Sequence, residues 1–473
     1  MIGIVSHAAY LPSHRISREA IATAWGGVSQ PGQKTVVRFD EDAITMAAQA
    51  AWQCLASLPE DERRAPGVVF FASTSAPYQE RLNSSIVAAM CDLGGAAFVA
   101  DFATSLRAGT SALFAAADHV AANPATGRLA VVVAADARES EPGSSEELTF
   151  GDAAGAIALG TRNVIAELLT RSTRYDDFFE SSRRDRDEFV TLFEGKFSVD
   201  RGYSKSLRWV IQQVLQQAGI AAVDVSKLVI PAFDKRAHLA LAEKLGFAAD
   251  CVQDVAWNDL GNVGCAAPLL LLSAALEQAK PGDLILCAGY GNGADAFLFR
   301  VTDNIGAYKT VTPLAAQRAS TMQYKNYTLY RKAREYRHTH DDRLEITNIF
   351  YSKDEAQTTR LHGSECQHCG TRHFPLVRVC TKCEKDDKLQ EVALQRTGQV
   401  FTYAVDHLAA SPFPPVVMAV VDLDGGGRIY CEVVDTEPEN VKIGMPVELV
   451  ARRLREGGGL YHYYWKCRLR RDA

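Results

Sequence analysis

Apolar positions over the first 300 residues come in two alternating textures. Short runs such as GVVFFAS, RLAVVVAAD, KLVIPAF and DLILCAGYG are each followed, at varying distance, by Ala- and Leu-rich stretches such as SALFAAADHVAA and AHLALAEKLGF. The former predict largely buried strands and the latter helices, an alternation that builds a layered α/β domain. The charge-dense ESSRRDRDEF in between predicts a solvated loop or helix face, to which no function is assigned. Past residue 302 the texture changes. TVTPLAAQRAS and YKNYTLYRKAREYRHTHDD mix polar, basic and aromatic residues and predict a connector with an exposed helix. Farther on, GQVFTYAVDHLAA, PPVVMAVVDLD, GRIYCEVVD and MPVELVARRL alternate with turns, as the short strands of a small barrel do.

Composition narrows this picture. A chain of 473 residues exceeds one ordinary core, and about two to four folding units are expected. With 47% apolar and 23% charged residues the chain has material for a large core and is not of the disordered class. A net charge of −6 gives no global reason to expect nucleic acid or an anionic membrane as partner. MIGIVSHAAYLPSHRIS lacks a basic region followed by a long apolar core, and no window approaches a membrane span, so a cytoplasmic location is expected.

Most of the eleven cysteines are scattered among apolar neighbours, as at Cys54, Cys91 and Cys287, which suits reduced core thiols. Four are paired. LHGSECQHCGTRHFPLVRVCTKC places Cys366, Cys369, Cys380 and Cys383 in a C-x2-C-x10-C-x2-C pattern, two thiolate knuckles able to close a tetrahedral zinc site. Four sulfurs fill such a site, so the zinc is expected to be structural, with His368 and His373 left on the surface.

Two family resemblances rest on these stretches. MIGIVSHAAYLP, FDEDAITMAAQAA, STSAPYQERLNSS, GDAAGAIALG, DLGNVGCAA and KPGDLILCAGYGNGADAF resemble, in order and spacing, the thiolase superfamily. Within it they are most similar to archaeal-type 3-hydroxy-3-methylglutaryl-CoA synthases and, more distantly, to ketoacyl synthase III enzymes. The cysteine segment followed by RTGQVFTYAVDH and VKIGMPVELVARRL resembles the small zinc-ribbon and OB-fold proteins that accompany such enzymes. The first resemblance implies a five-layered αβαβα sandwich of two similar halves, expected at residues 1–160 and 161–335, the second including the connector. A linker helix and zinc ribbon are expected at 336–390 and an OB-fold at 391–473.

The same resemblance implies a chemistry. Members carry an acyl group as a thioester on a cysteine at a buried helix start and condense it with a second acyl-CoA or acyl-carrier substrate. Carried over residue by residue, DFATSLRAGTSALFAA has Leu106 at the nucleophile position and STSAPY has Thr74 at that of the acid/base glutamate. KLVIPAFDKRAH has Pro231 and Ala232 at the histidine position, and His238 is expected to be an ordinary, partly exposed residue. Only Asn262, in LGNVG, matches a polar site residue. Ser105 and Cys265 are weak substitute nucleophiles, the latter also readable as a small buried hydrophobe. Arg107 is a candidate anchor for a carboxylate or phosphate, or else an ion pair at a helix start, and Gly291 is a further candidate contact to CoA.

A degenerate catalytic set within well-kept structural motifs implies a component of an acyl-CoA C–C bond forming or cleaving complex. It would work with an active thiolase-type subunit, as a homodimer or heterodimer through the thiolase-like domain. Two alternatives stand beside this. One is a self-sufficient CoA-thioester lyase or acyltransferase without a covalent intermediate, using oxyanion stabilisation and a weak base such as Asp234 or Asn262. The other is an acyl-CoA binding scaffold, in which the basic and aromatic RRLREGGGLYHYYWKCRLRRDA faces CoA phosphates or an acidic partner rather than nucleic acid.

Overall fold

The computed structural model describes residues 1–339 and 347–471. Residues 340–346, within the expected connector and linker, and 472–473, the end of the basic tail, lie outside the described residues. The chain divides into two compact units, one built on residues 1–37, 42–88 and 93–321, the other on 38–41, 89–92 and 322–473. The boundary thus falls at 321/322, earlier than the expected 335. The connector helix Tyr327–Thr339 belongs with the second unit and is not simply exposed, because Tyr330, Ala333 and Arg334 are buried along one side of it.

In the first unit the apolar runs form strands β1 (Gly3–Tyr10), β2 (Val68–Ala72), β3 (Phe98–Phe102), β4 (Ala130–Asp136), β5 (Ala153–Gly160), β6 (Ala166–Tyr175), β7 (Lys227–Val229), β8 (Leu284–Tyr290) and β9 (Gly293–Val301). Among the described residues they join in the order β7-β8-β9-β6-β1-β5-β4-β2-β3. Within this order β1-β5-β4-β2 and β6-β9-β8-β7 repeat one topology: β2 runs parallel to β4 as β7 does to β8, and the other neighbours are antiparallel. The two halves meet where Gly3 and Ile4 of β1 pair with β6.

Helix composition sorts the helices into layers. Helix α1 (Ala43–Ala56), fixed at its start by a capping box between Asp42 and Thr45, covers β1, β4 and β5. Helix α3 (Ser204–Ala218) is amphipathic, burying Leu207, Val210, Ile211 and Val214 against β6, β8 and β9, and stops at Gly219, whose φ of 65° L-residues rarely adopt. Between the halves lie α2 (Ala108–Ala122) and α4 (Ala267–Leu276). All ten residues of α4, APLLLLSAAL, are buried, as a helix sheathed on every side requires. A Cβ at Gly109 of α2 would stand 2.7 Å from the Cys265 carbonyl oxygen, so a glycine is needed for the approach of these two segments. The five layers expected from the resemblance are present.

In the second unit β10 (Thr397–Asp406), β11 (Val416–Leu423), β12 (Arg428–Val433), β13 (Pro446–Gly457) and β14 (Leu460–Leu469) close a barrel in the order β10-β11-β12-β14-β13. Inward alternation is clear along β11, where Val417, Ala419, Val421 and Leu423 are buried. The basic tail departs from expectation. Arg452, Lys466 and Arg468 turn inward and are buried, held by carboxylates: Arg452 on Asp435 at 2.9 Å and Glu41 at 3.2 Å, Lys466 on Asp40 at 2.6 Å, Arg468 on Glu448 at 2.7 Å. These charges are neutralised inside the unit and do not form a phosphate-facing surface. Among the described residues no helix is long and apolar enough to cross a membrane.

Candidate functional site

The chain leaves β3 through a strained turn. Thr104, a β-branched residue, has a φ of 70°, and Ser105, Leu106 and Arg107 then lead into α2. Gly291, between β8 and β9, presses on this turn: a Cβ there would lie 2.7 Å from both the Arg107 nitrogen and Ser105 Oγ. Ser105 Oγ donates to the Gly291 carbonyl at 3.0 Å, which commits the hydroxyl to holding the turn. Arg107 donates from Nη1 to the Arg174 carbonyl at 2.8 Å and lies 3.5 Å from Asp295, itself bonded by Thr110, Ser111 and Thr173. Neither Arg107 nor Gly291 lines the cavity described next.

That cavity, of about 410 Å³, opens in front of the turn, within the range of small-molecule sites. Leu106 and Thr74 both line it, so the positions implied for the nucleophile and the acid/base glutamate converge, with an isobutyl group and a hydroxyl in place of a thiol and a carboxyl. Arg138, two residues beyond the end of β4, Glu180 and Asn292 belong to its polar lining, as do Asp101 and the exposed Asp185. Ribbon Ser181–Ser182/Thr191–Leu192 carries Glu180 at its edge, and Arg183 Nη2 ties it to the Thr74 carbonyl at 3.2 Å.

Behind the wall Asp136 acts as a hub. Its buried carboxylate accepts from the Thr74 nitrogen at 2.7 Å, the Cys265 nitrogen at 2.8 Å, Thr74 Oγ1 at 3.0 Å, and Ser73 Oγ and Ser75 Oγ at 3.1 Å. It thereby fixes the loop after β2 against the segment leading to α4. Arg138 stacks on the Phe150 ring with its guanidinium carbon 3.8 Å from the centroid, and its Nη2 donates to Asn262 Oδ1 at 3.1 Å. Asn262 thus reaches the cavity through Arg138; with Ala232 it lines a separate void of about 20 Å³.

The remaining candidates lie elsewhere. Cys265 is fully buried, its Sγ facing the Ala72 carbonyl at 3.6 Å, and burial followed by the charge of Asp136 pushes its thiol well above the ordinary range. Pro231 accepts from the Tyr203 hydroxyl at 2.7 Å through its carbonyl. Asp234 caps the helix Ala237–Lys244 by accepting from the nitrogens of Arg236 and Ala237. His238, expected to be partly exposed, is buried because that helix turns it inward, and burial lowers its pKa. Asp136, Arg138 and Glu180 were not singled out by the sequence reading; Glu180 heads the very stretch assigned to solvent.

In the second unit Cys366, Cys369, Cys380 and Cys383 converge, with all four sulfurs within 4.8 Å of one another. The pairs Cys366–Cys383 and Cys369–Cys380 are 3.6 Å apart. Tetrahedral bonds of about 2.3 Å place sulfurs about 3.8 Å apart, so the cluster fits a four-thiolate metal. Its strands, His362–Cys366, Arg372–His373 and Leu389–Ala393, form a small sheet. His368 reaches Asp387 at 2.9 Å, whereas His373, expected at the surface, is buried in the sheet.

Residues 215–300 match the family described as 3-oxoacyl-[acyl-carrier-protein] synthase III C terminal, and residues 391–452 match the ChsH2 C-terminal OB-fold domain. Hydroxymethylglutaryl-CoA synthase of Methanosphaera stadtmanae is 30% identical over 342 residues, covering 70% of this chain and 98% of its own length. The chain belongs to the hydroxymethylglutaryl-CoA synthase family. The Methanococcoides burtonii synthase gives 29% over 348 residues, 70% of this chain and 97% of its own. A crystal structure of an HMG-CoA synthase complexed with CoA superimposes with a TM-score of 0.64 at 16% identity, covering 73% of this chain and 92% of that one. Archaeal synthases are thus matched over nearly their full length, and the OB-fold domain stands outside that match.

Proposed function

We propose that the synthase-type unit binds a CoA thioester in the 410 Å³ cavity and acts on it without an acyl-enzyme, as part of an acyl-CoA C–C bond forming or cleaving system. The observation that carries this is Leu106 at the cavity-facing helix start, where a covalent mechanism needs a thiol. The nearby substitutes are committed elsewhere: Ser105 Oγ bonds the Gly291 carbonyl, and Cys265 is a buried thiol held far from its thiolate form. CoA is the ligand class because one related synthase structure holds it. In the second unit the four cysteines hold a structural zinc that closes the ribbon.

Calorimetric titration of the full chain with acetyl-CoA tests the reading. Binding is expected in wild type and its weakening in Leu106→Trp, whose indole intrudes on the cavity at the helix start; equal binding by both sinks it. Dependence on an active thiolase-type chain is the second reading, favoured by the OB-fold match to a domain of another protein. Condensation or cleavage of acyl-CoA seen only when such a chain is added would support it, and turnover by the single chain would dismiss it.

A further inference from the structure

Of the carboxylates that line the cavity, Asp101, Glu180 and Asp185, Glu180 is the buried one, and it is poorly provided for. The residue is 7% exposed and its Oε2 has no hydrogen-bond partner. Buried carboxylate oxygens are normally paired, so an orphaned one at the wall of a ligand-sized cavity is available to whatever fills it. Its surroundings are built rather than incidental. The Tyr290 hydroxyl stands beside it from β8, and the Arg138 guanidinium acts on it from the end of β4. Tyr290 reaches that place because residue 202 is a glycine; a Cβ there would lie 2.2 Å from the tyrosine oxygen. Just outside the Ser181–Ser182/Thr191–Leu192 ribbon, the Glu180 carbonyl accepts from the Phe193 nitrogen at 3.0 Å.

We propose that Glu180 is the proton-transfer group of this cavity, exchanging a proton with the carbon next to the thioester carbonyl of a bound acyl-CoA, while Arg138 stabilises the enolate oxygen. This rests on the reading that the cavity takes a CoA thioester. In the forward step the C–H bond breaks, the proton forms an O–H bond on Glu180, and the electron pair moves onto the thioester oxygen. Arg138, whose Nε has no partner of its own, is the donor for that oxygen. The reverse step returns a proton to carbon, so no co-reactant is needed. Burial is the largest influence on the Glu180 carboxyl and pushes it up, against the smaller pull of the backbone, the neighbouring Tyr290 hydroxyl and the Arg138 charge. An elevated carboxyl is the better matched to giving and taking protons near neutrality.

The test follows deuterium entering the methyl group of acetyl-CoA in heavy water, with the full-length protein and mass detection. Wild type is expected to catalyse exchange. Glu180→Gln should lower the rate by about 100-fold or more, with acetyl-CoA affinity within about twofold, and Glu180→Asp should recover part of it. The wild-type rate should rise with pH, with a midpoint above that of an ordinary glutamate. Exchange unchanged in Glu180→Gln, or absent from a wild type that binds acetyl-CoA, overturns the proposal and leaves the binding reading standing. A wild type that does not bind acetyl-CoA overturns both.

Discussion

Asp136 offers the sharpest perturbation of the site's framework. Its five accepted hydrogen bonds include the backbone nitrogens of Thr74 and Cys265, which lie on opposite sides of the carboxylate, one served by each oxygen. In Asp136→Asn a single oxygen remains, and the amide group must face one of those two N–H donors. A buried donor left unpaired costs about 1–3 kcal/mol, and the surviving bonds lose their charge assistance. The expected destabilisation is therefore about 3 kcal/mol, rising to about 5 kcal/mol in Asp136→Ala, where both nitrogens lose their acceptor. Hydrogen exchange followed by mass spectrometry resolves the effect locally. Peptides spanning residues 70–80 and 262–270 should exchange faster in the variant, while those from the barrel should not change. Chemical unfolding of the first unit should shift in parallel. A variant within about 1 kcal/mol of wild type, with unaltered exchange in both peptides, would refute the role assigned to this carboxylate.

Other consequences can be checked as directly. Purified protein should carry about one zinc per chain, and chelation or Cys380→Ser should release it and unfold the ribbon; metal-free protein with an unchanged ribbon would contradict the four-thiolate site. Gly289→Ala places a methyl group 2.4 Å from Thr110 Oγ1, between β8 and α2, and should cost about 1–3 kcal/mol in a thermal or urea melt. Because burial raises the Glu180 carboxyl, the folded state holds its proton to higher pH than the unfolded chain, so ionisation opposes folding as pH rises through that window. Glu180→Gln should thus gain thermal stability relative to wild type as pH rises from 4 to neutrality; a pH-independent difference would speak against an elevated glutamate.

How much of this was legible in the sequence depended on whether the cause was local. Runs such as AVVVAAD and LILCAGY declare strands because burial on both faces forces continuous apolar character, and all of APLLLLSAAL reads as a sheathed helix. Motif order brought Leu106 and Thr74 to attention, and the structure places both on one cavity. Glu180 was hidden because ESSRRDRDEF is polar up to its final Phe189, while the groups that act on the glutamate, Tyr290 and Arg138, are distant in sequence. Its one local hint is the preceding DDFF, an apolar pair at the mouth of a charged run. The basic tail misled for the same reason. Lys466 and Arg468 lie two apart and so share a face of β14, but the acids Asp40 and Glu41 that neutralise Lys466 and Arg452 come from the far end of the chain. Arg138 could have been suspected from its place just past the carboxyl end of a buried strand, where α/β sheets gather their ligands.

The central claim is that the cavity handles a thioester without ever bonding to its acyl group. Intact-mass measurement of the full chain after incubation with saturating acetyl-CoA at neutral pH tests it most directly, with Leu106→Cys treated in parallel. Wild type should show its unmodified mass, and Leu106→Cys, which restores a thiol at the helix start facing the cavity, should gain the mass of an acetyl group. An acetyl adduct on wild type, removed by Ser105→Ala or Cys265→Ala, would contradict the account.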